Sequence, residues 1–344
     1  MHKLTNKIAI GCLVQFYEIE IIHDYLLSVK NALDKIENKR NVIIDVCFNL
    51  NQGLEQVDET KTCVGDLRNE FRDVCLRVFG YDYHYGDTTE YDFRLTEHDT
   101  NGGIAHIYTI ADYRREFNEK YCEKVDVLMW GESDSLIPRQ TFEILDNLHT
   151  AAKETTPKYV GFFATCKMWD DTWKVLEHPD FTDKPFTEGD LTNWWSLRYN
   201  MSQIEMDKIN DKVEDLDIQV TQDLKFNGCG LVISSDVVKS GVNIPKSVFF
   251  VHEDTAFMNN CLIHFQGQLT QYIIKNVLLV HNRKLPNKRM YIKGQDFETD
   301  DMTVMRKKQF WFPNADKMSQ QNAFNLNKQA YTYTWDDVFR DYEK

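Results

Sequence analysis

Two short acidic segments carry residue types from which a reaction could be built. One is Gly131-Glu132-Ser133-Asp134-Ser135, with two carboxylates one residue apart. Carboxylates at that spacing suit a hard divalent cation that also holds a diphosphate. The other is His252-Glu253-Asp254-Thr255. A carboxylate partly buried beside another has its pKa raised, which fits a general base working near neutral pH. His281 offers an imidazole as a further metal ligand. From Lys275 to Lys293 runs a basic stretch with Arg283, Lys284, Lys288 and Arg289 and no acidic residue. Such a run can clamp phosphate or meet a nucleic-acid backbone. Each feature also has an ordinary reading: a solvated turn, a helix-capping Asp254, a packed strand-end histidine, a solvated loop. Position in the fold decides between the two.

The elements that must position these residues alternate between strand and helix. Val125, Val127, Leu128, Met129 and Trp130 form a continuous apolar strand of the kind buried in a sheet covered on both faces. It runs into the Glu132-Asp134 turn, and Pro138 then opens a helical pattern with Phe142, Leu145, Leu148 and Ala152 on one side. Two carboxylates thus stand at the carboxyl end of a central strand, where open α/β sheets bind ligands. Upstream, Lys7 to Val14 reads as a strand, and Ile19, Ile22, Leu26, Val29, Leu33 and Ile36 give a helix from Tyr17 onward. Asn41 to Phe48 reads as a second strand ending in a polar turn at Asn49-Leu50-Asn51-Gln52-Gly53. Strand, helix, strand implies a right-handed crossover and a parallel sheet. Residues 54 to 80 read as helical, and Tyr81 to Thr100 as a loop or edge hairpin over the site.

Asn101-Gly102-Gly103 begins the next helical pattern, through Ile107, Tyr108, Ala111 and Phe117, and a glycine pair there allows backbone approach to an anion. Tyr159 to Cys166 is a further strand. Residues 167 to 226 break the rhythm and hold Trp169, Trp173, Trp194 and Trp195, four of the 7 tryptophans, so they read as an insertion or lid. The adjacent Trp194-Trp195 pair is the candidate for an acceptor contact, because both rings cannot easily face inward. Leu231 to Ser234, Val248 to Val251 and Val277 to Val280 read as strands, the last ending at His281. The expected organisation is a main domain over 1–294 and an extension over 295–344 packed on it.

With 344 residues, a formal net charge of −14 and 27% charged residues, the chain reads as an ordinary acidic globular protein. That charge excludes a protein that coats nucleic acid with its whole surface, though not a local basic site. No apolar run reaches the length of a bilayer span. The 8 cysteines lie far apart without a CxxC pair, which fits buried free thiols in a reducing cytoplasm better than a disulfide framework or a zinc site.

The order of these pieces resembles inverting glycosyltransferases of the GT-A fold, the broad family 2 type. The matching pieces are Asn101-Gly102-Gly103, then VDVLMW with Glu132-Ser133-Asp134 and Pro138, then Phe226-Asn227-Gly228-Cys229-Gly230, then His252-Glu253-Asp254. Each is short; four in the right order are far more specific. Glu132 stands where an aspartate is usual, and Tyr108-Thr109 where Arg-Asn is frequent. The resemblance implies an α/β fold with a Rossmann-like, mostly parallel sheet sandwiched by helices. It implies Mn²⁺ or Mg²⁺ on Asp134, with Glu132 joining or holding the ribose and His281 as a further ligand. A nucleotide-sugar donor, UDP-linked by expectation, would lie against Gln15, Asn49, Asn101, Gly102, Gly103, Arg283 and Lys284. Asp254, beside Glu253, would take the acceptor proton.

Two acceptors remain open at this point. One is a glycan or lipid-linked saccharide. The other is a hydroxymethylated base in DNA, as in tailed phages, contacted by Lys288 and Arg289 and stacked on Trp194 or Trp195 after flipping. A nucleotidyltransferase, or a binding module without catalysis, would share the architecture.

Overall fold

The computed structural model describes residues 1–19, 21–51, 53–54, 63–80, 90–99, 107–166, 175–176, 202–221, 228–266, 268–281, 311–326 and 331–340. Alternation in the first strand sets the layers. In β1 (Ile8–Gln15), Ile8, Ile10, Cys12 and Val14 join the core on one face while Ala9 and Leu13 join the core on the other. A strand apolar on both faces belongs inside a covered sheet. Gly11 is small for a reason of packing, because a Cβ there would run into the Phe117 ring.

Parallel partners flank β1 on both sides, β2 (Val42–Asn51) and β4 (Val127–Trp130), and β3 (Asp92–Asp99) lies parallel outside β2. Beyond β4 comes β9 (Val232–Ser234), antiparallel to it, and then β6 (Tyr159–Cys166) and β10 (Thr270–His281), parallel to each other. The described strands follow the order β3-β2-β1-β4-β9-β6-β10-β5, where β5 (Ser135–Leu136) pairs antiparallel with the end of β10. Two more antiparallel strands join at the sides, β7 (Val175–Leu176) on β6 and β8 (Ile218–Thr221) on β10. The expected α/β architecture with a mostly parallel sheet is therefore what the chain adopts.

Helices cover both faces. On the first lie α1 (Ile22–Leu33), α2 (Val64–Phe79) and α4 (Thr141–Ala152), contributing Leu26, Phe71 and Leu145 to its core. On the second lie α3 (Ile110–Tyr121), α6 (Ser235–Lys239) and α7 (Glu253–His264), contributing Phe117, Val237 and Phe257. Within the expected insertion, α5 (Gln203–Asn210) is tied to β10 by Asn210, whose side chain bonds both the N–H and the carbonyl of Leu278 at 2.8 and 2.9 Å.

Several expected boundaries move, each for a local reason. The helix expected from Tyr17 begins at Ile22, because Glu18 accepts the Gln15 N–H at 3.0 Å and closes a 3₁₀ turn first. The polar turn expected at Asn49 continues as strand, since β3 supplies ladder partners as far as Asn51. Asp92 to Asp99, expected as loop or hairpin, is instead a parallel edge strand that sends Phe93 into the core. The helix expected from Asn101 starts at Ile110, where Thr109 and Asp112 form a reciprocal cap. Pro138 opens a turn, and the helix after it starts at Thr141.

Val248 to Val251 is not a strand. Phe249 and Phe250 leave the sheet and meet Trp311 and Trp335 at centroid distances of 4.9 to 5.6 Å. Trp311 precedes α8 (Phe312–Phe324), and Trp335 opens α9 (Trp335–Phe339). Edge-on aromatic pairs add about 0.5–1.5 kcal/mol each beyond burial, so this cluster is what those apolar residues serve. Among the described residues no helix is long and apolar enough to cross a membrane.

Candidate active site

At the carboxyl end of β4 the chain leaves the sheet through a position that admits only glycine. Gly131 donates its N–H to the Gly11 carbonyl at 2.7 Å, and the Tyr25 hydroxyl stands where a Cβ would go. The Ser135 N–H and hydroxyl then both donate to the Glu132 carbonyl, at 3.1 and 2.9 Å, which closes the acidic turn. β5 follows at once, and its register sets Ser135 opposite His281. That pairing brings the imidazole to the turn: His281 Nε2 lies 2.7 Å from Glu132 Oε2 and 3.0 Å from Asp134 Oδ1. The three residues predicted as metal ligands are together.

Their electrostatics follow from burial and mutual charge. His281 is buried, which works against its protonation, but Cys229, Asp134 and Glu132 around it hold the imidazole well above its usual range. Burial likewise works against ionised Glu132, yet His281 and Arg114 hold its carboxyl well below the ordinary carboxylate range.

Arg114 belongs to this site although sequence reasoning did not single it out. It sits on the buried side of α3 at 2% exposure, its guanidinium 4.8 Å over the Trp130 ring. Nη2 donates to Glu132 at 2.7 Å, while Nη1 donates to Glu253. One side chain thereby joins the two acidic segments. The signal was present: Arg114 falls three residues after Ala111 and three before Phe117, on the apolar stripe. A charge on such a stripe must find partners inside, because an unpaired buried ion is costly.

Glu253 and Asp254 open α7, where carboxylates are favoured by the exposed N–H groups of a first helical turn. The residue before them, His252, holds a left-handed backbone with φ of 69°, uncommon for a side chain other than Gly or Asn. Its Nε2 is 3.0 Å from Asp316 of α8, so α8 anchors the entry to the helix. Within the acidic pair, burial pushes the Glu253 carboxyl up to about 7, Arg114 pulling against it and Asp254 adding to it. Asp254 is only half-buried; Thr255 donates its N–H to Oδ1 at 2.6 Å. Gly228 packs between these groups. A Cβ there would come to 2.6 Å from Arg114 Nη1 and 3.4 Å from Asp254 Oδ2.

The turn Gly228-Cys229-Gly230 is stitched to β4 by two backbone bonds of 2.9 Å, Gly230 N–H to the Trp130 carbonyl and Trp130 N–H to the Leu231 carbonyl. Gly230 takes a φ of 72°, which glycine adopts without strain. The turn carries Cys229 into the site, where one donor atom each of Glu132, Cys229 and His281 lies within 4.8 Å of the other two. Oxygen, sulfur and nitrogen donors gathered so closely fit a divalent cation. Chain spacing hid this grouping, because its members come from the turn after β4, the turn before β9, and the end of β10.

Of the residues predicted to meet the donor, Gln15 ends β1 and is buried. Asn49 is fully buried in β2 and donates to the Tyr108 carbonyl at 3.2 Å. Asn101, Gly102, Gly103, Arg283 and Lys284 lie outside the described residues, as do Trp194, Trp195, Lys288 and Arg289 on the expected acceptor side.

No protein-family model matches the chain, and no curated protein matches it in sequence. Among solved structures it is similar to S. aureus TarS 1–349, with 11% identity and a TM-score of 0.44 over 94% of this chain and 75% of that one. It is also similar to GalNAc-T7 solved with UDP, GalNAc and Mn²⁺, with 7% identity and a TM-score of 0.48 over 98% of this chain and 54% of that one. A mycobacterial protein gives 9% identity and a TM-score of 0.40 over 82% of this chain and 69% of that one.

Proposed function

We propose that the chain is a metal-dependent glycosyltransferase of the GT-A type, moving a sugar from a nucleotide-sugar donor to an acceptor hydroxyl with inversion. One observation carries the reading: Arg114 bonds Glu132 and Glu253 together. The two acidic motifs, far apart in the chain, thereby form one site in the order the family resemblance implies. Glu132, Asp134 and His281 would hold Mn²⁺ or Mg²⁺. Bound there, the cation supplies charge neutralisation for the departing nucleoside diphosphate.

The chain's own residues do the rest. Arg114 fixes Glu132 and, through Glu253, the start of α7, and so sets where Asp254 stands relative to the acidic turn. Asp254 takes the acceptor proton as the acceptor oxygen bonds the anomeric carbon and the bond from that carbon to the diphosphate breaks. A single displacement of this kind inverts the anomeric centre. Buried Glu253, held by Arg114, leaves half-buried Asp254 as the group an incoming hydroxyl can reach.

For the acceptor we favour a hydroxymethylated base in DNA, of the 5-hydroxymethylcytosine type, with a glycan as the alternative. The basic run from Lys275 to Lys293 begins in β10, whose end, His281, lies at the site, and this continuity supports a polyanionic acceptor. Incubation of the protein and Mn²⁺ with nucleotide sugars, followed by chromatography of the released nucleotide, tests the reaction class. Free nucleoside diphosphate supports sugar transfer. Pyrophosphate would instead assign nucleotidyl transfer, and release of neither would leave a binding module.

A further inference from the structure

Cys229 is the member of the site that the reading above does not use. Its thiol lies in a small buried turn, and a thiol in an apolar cluster is ordinarily just packing. Here its polar neighbours are a carboxylate and an imidazole, with the donor atoms of Glu132, Cys229 and His281 all within 4.8 Å of one another. With metal–sulfur and metal–nitrogen bonds of about 2.3 and 2.1 Å, two donors on one ion stand at most about 4.4 Å apart. The three side chains therefore need only small rotations to meet at one centre.

The backbone holds them there. Glu132 is fixed by the bonds from Ser135 to its carbonyl, and Cys229 by the two bonds between its turn and β4. His281 is fixed by the pairing of β10 with β5. Ligands from three stitched segments make a preorganised set, which is what selective metal binding requires.

We propose that Cys229 is a metal ligand alongside Glu132 and His281, so that the site takes a sulfur-accepting divalent ion of the Zn²⁺ or Co²⁺ kind ahead of Mn²⁺, and Mg²⁺ last. Three protein donors with a further position open is the arrangement of catalytic zinc sites. Thiolate selects softer ions, whereas Mg²⁺ prefers oxygen throughout. Asp134 Oδ1, 3.0 Å from His281 Nε2, would stand beside such an ion as a neighbouring carboxylate. The inference rests on the acidic turn being the metal-binding end of the proposed transferase site. Its test reads ligands and not turnover, so the two readings can fail separately.

The test is optical titration of the metal-free, full-length protein with Co²⁺, in a Cys63→Ala background that removes the thiol exposed among the described cysteines. A near-ultraviolet sulfur-to-cobalt band with intense visible bands is expected, and Cys229→Ser should abolish the former. Competition should show Cys229→Ser binding Zn²⁺ at least tenfold more weakly while Mn²⁺ binding changes little. A wild-type protein without the sulfur band, or a band that survives Cys229→Ser, overturns the assignment. Should Cys229→Ser not fold, X-ray absorption of the Zn²⁺-loaded Cys63→Ala protein decides the matter. One sulfur neighbour near about 2.3 Å supports the site, and a shell of nitrogen and oxygen alone overturns it.

Discussion

Arg114 Nη2 meets Glu132 at 2.7 Å, and the other arm of the same guanidinium holds Glu253, so one buried cation stands between two carboxylates. Arg114→Met removes that cation and leaves buried Glu253 and part-buried Glu132 without it. Breaking a buried pair on one side costs about 3–5 kcal/mol, and urea unfolding should show a loss of that size. Adding Glu253→Gln should recover part of it, since fewer charges then lack a partner. A single mutant within about 1 kcal/mol of the wild type would show that the bridge is not what holds the segments together.

Asp134→Asn should abolish metal-dependent turnover and leave the fold intact, because the residue belongs to a turn at the edge of the core. Circular dichroism and nucleoside diphosphate release, measured side by side, check both halves. Full activity in this mutant, or in the wild type under EDTA, would remove Asp134 from the metal set.

Asp254→Asn is nearly isosteric and deletes the proton acceptor. Turnover should fall by about 10²–10⁴-fold, the share typical of general base catalysis, while affinity for the donor nucleotide persists. A loss below about tenfold would favour a purely structural carboxylate at the helix start.

His252 and Asp316 give a pH dependence with a definite sign. The hydrogen bond from His252 to Asp316, against the cost of burial, raises the imidazole above its usual 6.5. A raised histidine contributes stability that is complete below the unfolded value and is lost as pH rises through the folded one. The stability gap between wild type and Asp316→Asn should therefore be widest below the ordinary histidine value of 6.5 and close as pH rises through the raised folded value. A gap that widens with alkalinity would contradict the pairing.

If DNA is the acceptor, affinity should fall steeply with salt. Replacing Lys288 and Arg289 by Ala should flatten the slope of log affinity against log salt by about 0.9 per lost contact. Trp195→Ala should cost roughly 1–3 kcal/mol of base stacking and act mainly on hydroxymethylated duplexes. No DNA affinity at low salt, together with hydrolysis of a nucleotide sugar, would return the acceptor to the glycan class.

What was legible in the sequence is what periodicity and motif order encode. The apolar run into Trp130 and the stripes of α1, α2 and α4 gave the layered α/β fold, and the acidic turns gave Glu132, Asp134, Glu253 and Asp254. Arg114 and Cys229 escaped because their roles depend on partners far along the chain. The apolar stripe says that Arg114 is buried but not which carboxylates it meets, and a cysteine without a CxxC mate carries no local pattern. The Val248–Val251 strand failed for a related reason: apolarity states that Phe249 and Phe250 are buried, not what covers them. The two-residue β5 was invisible to any pattern, yet its register is what delivers His281.

That register also bears on synthesis. Among the described strands β5 pairs with β10 alone, and β10 is the last of them to be made. A nascent chain still short of Thr270 already contains Glu132, Asp134 and Cys229 but cannot set an imidazole among them. Because chains emerge amino end first, these four side chains come together only after the described strands of the sheet have left the ribosome. A metal held among Glu132, Cys229 and His281 would therefore be taken up only once β10 is in place.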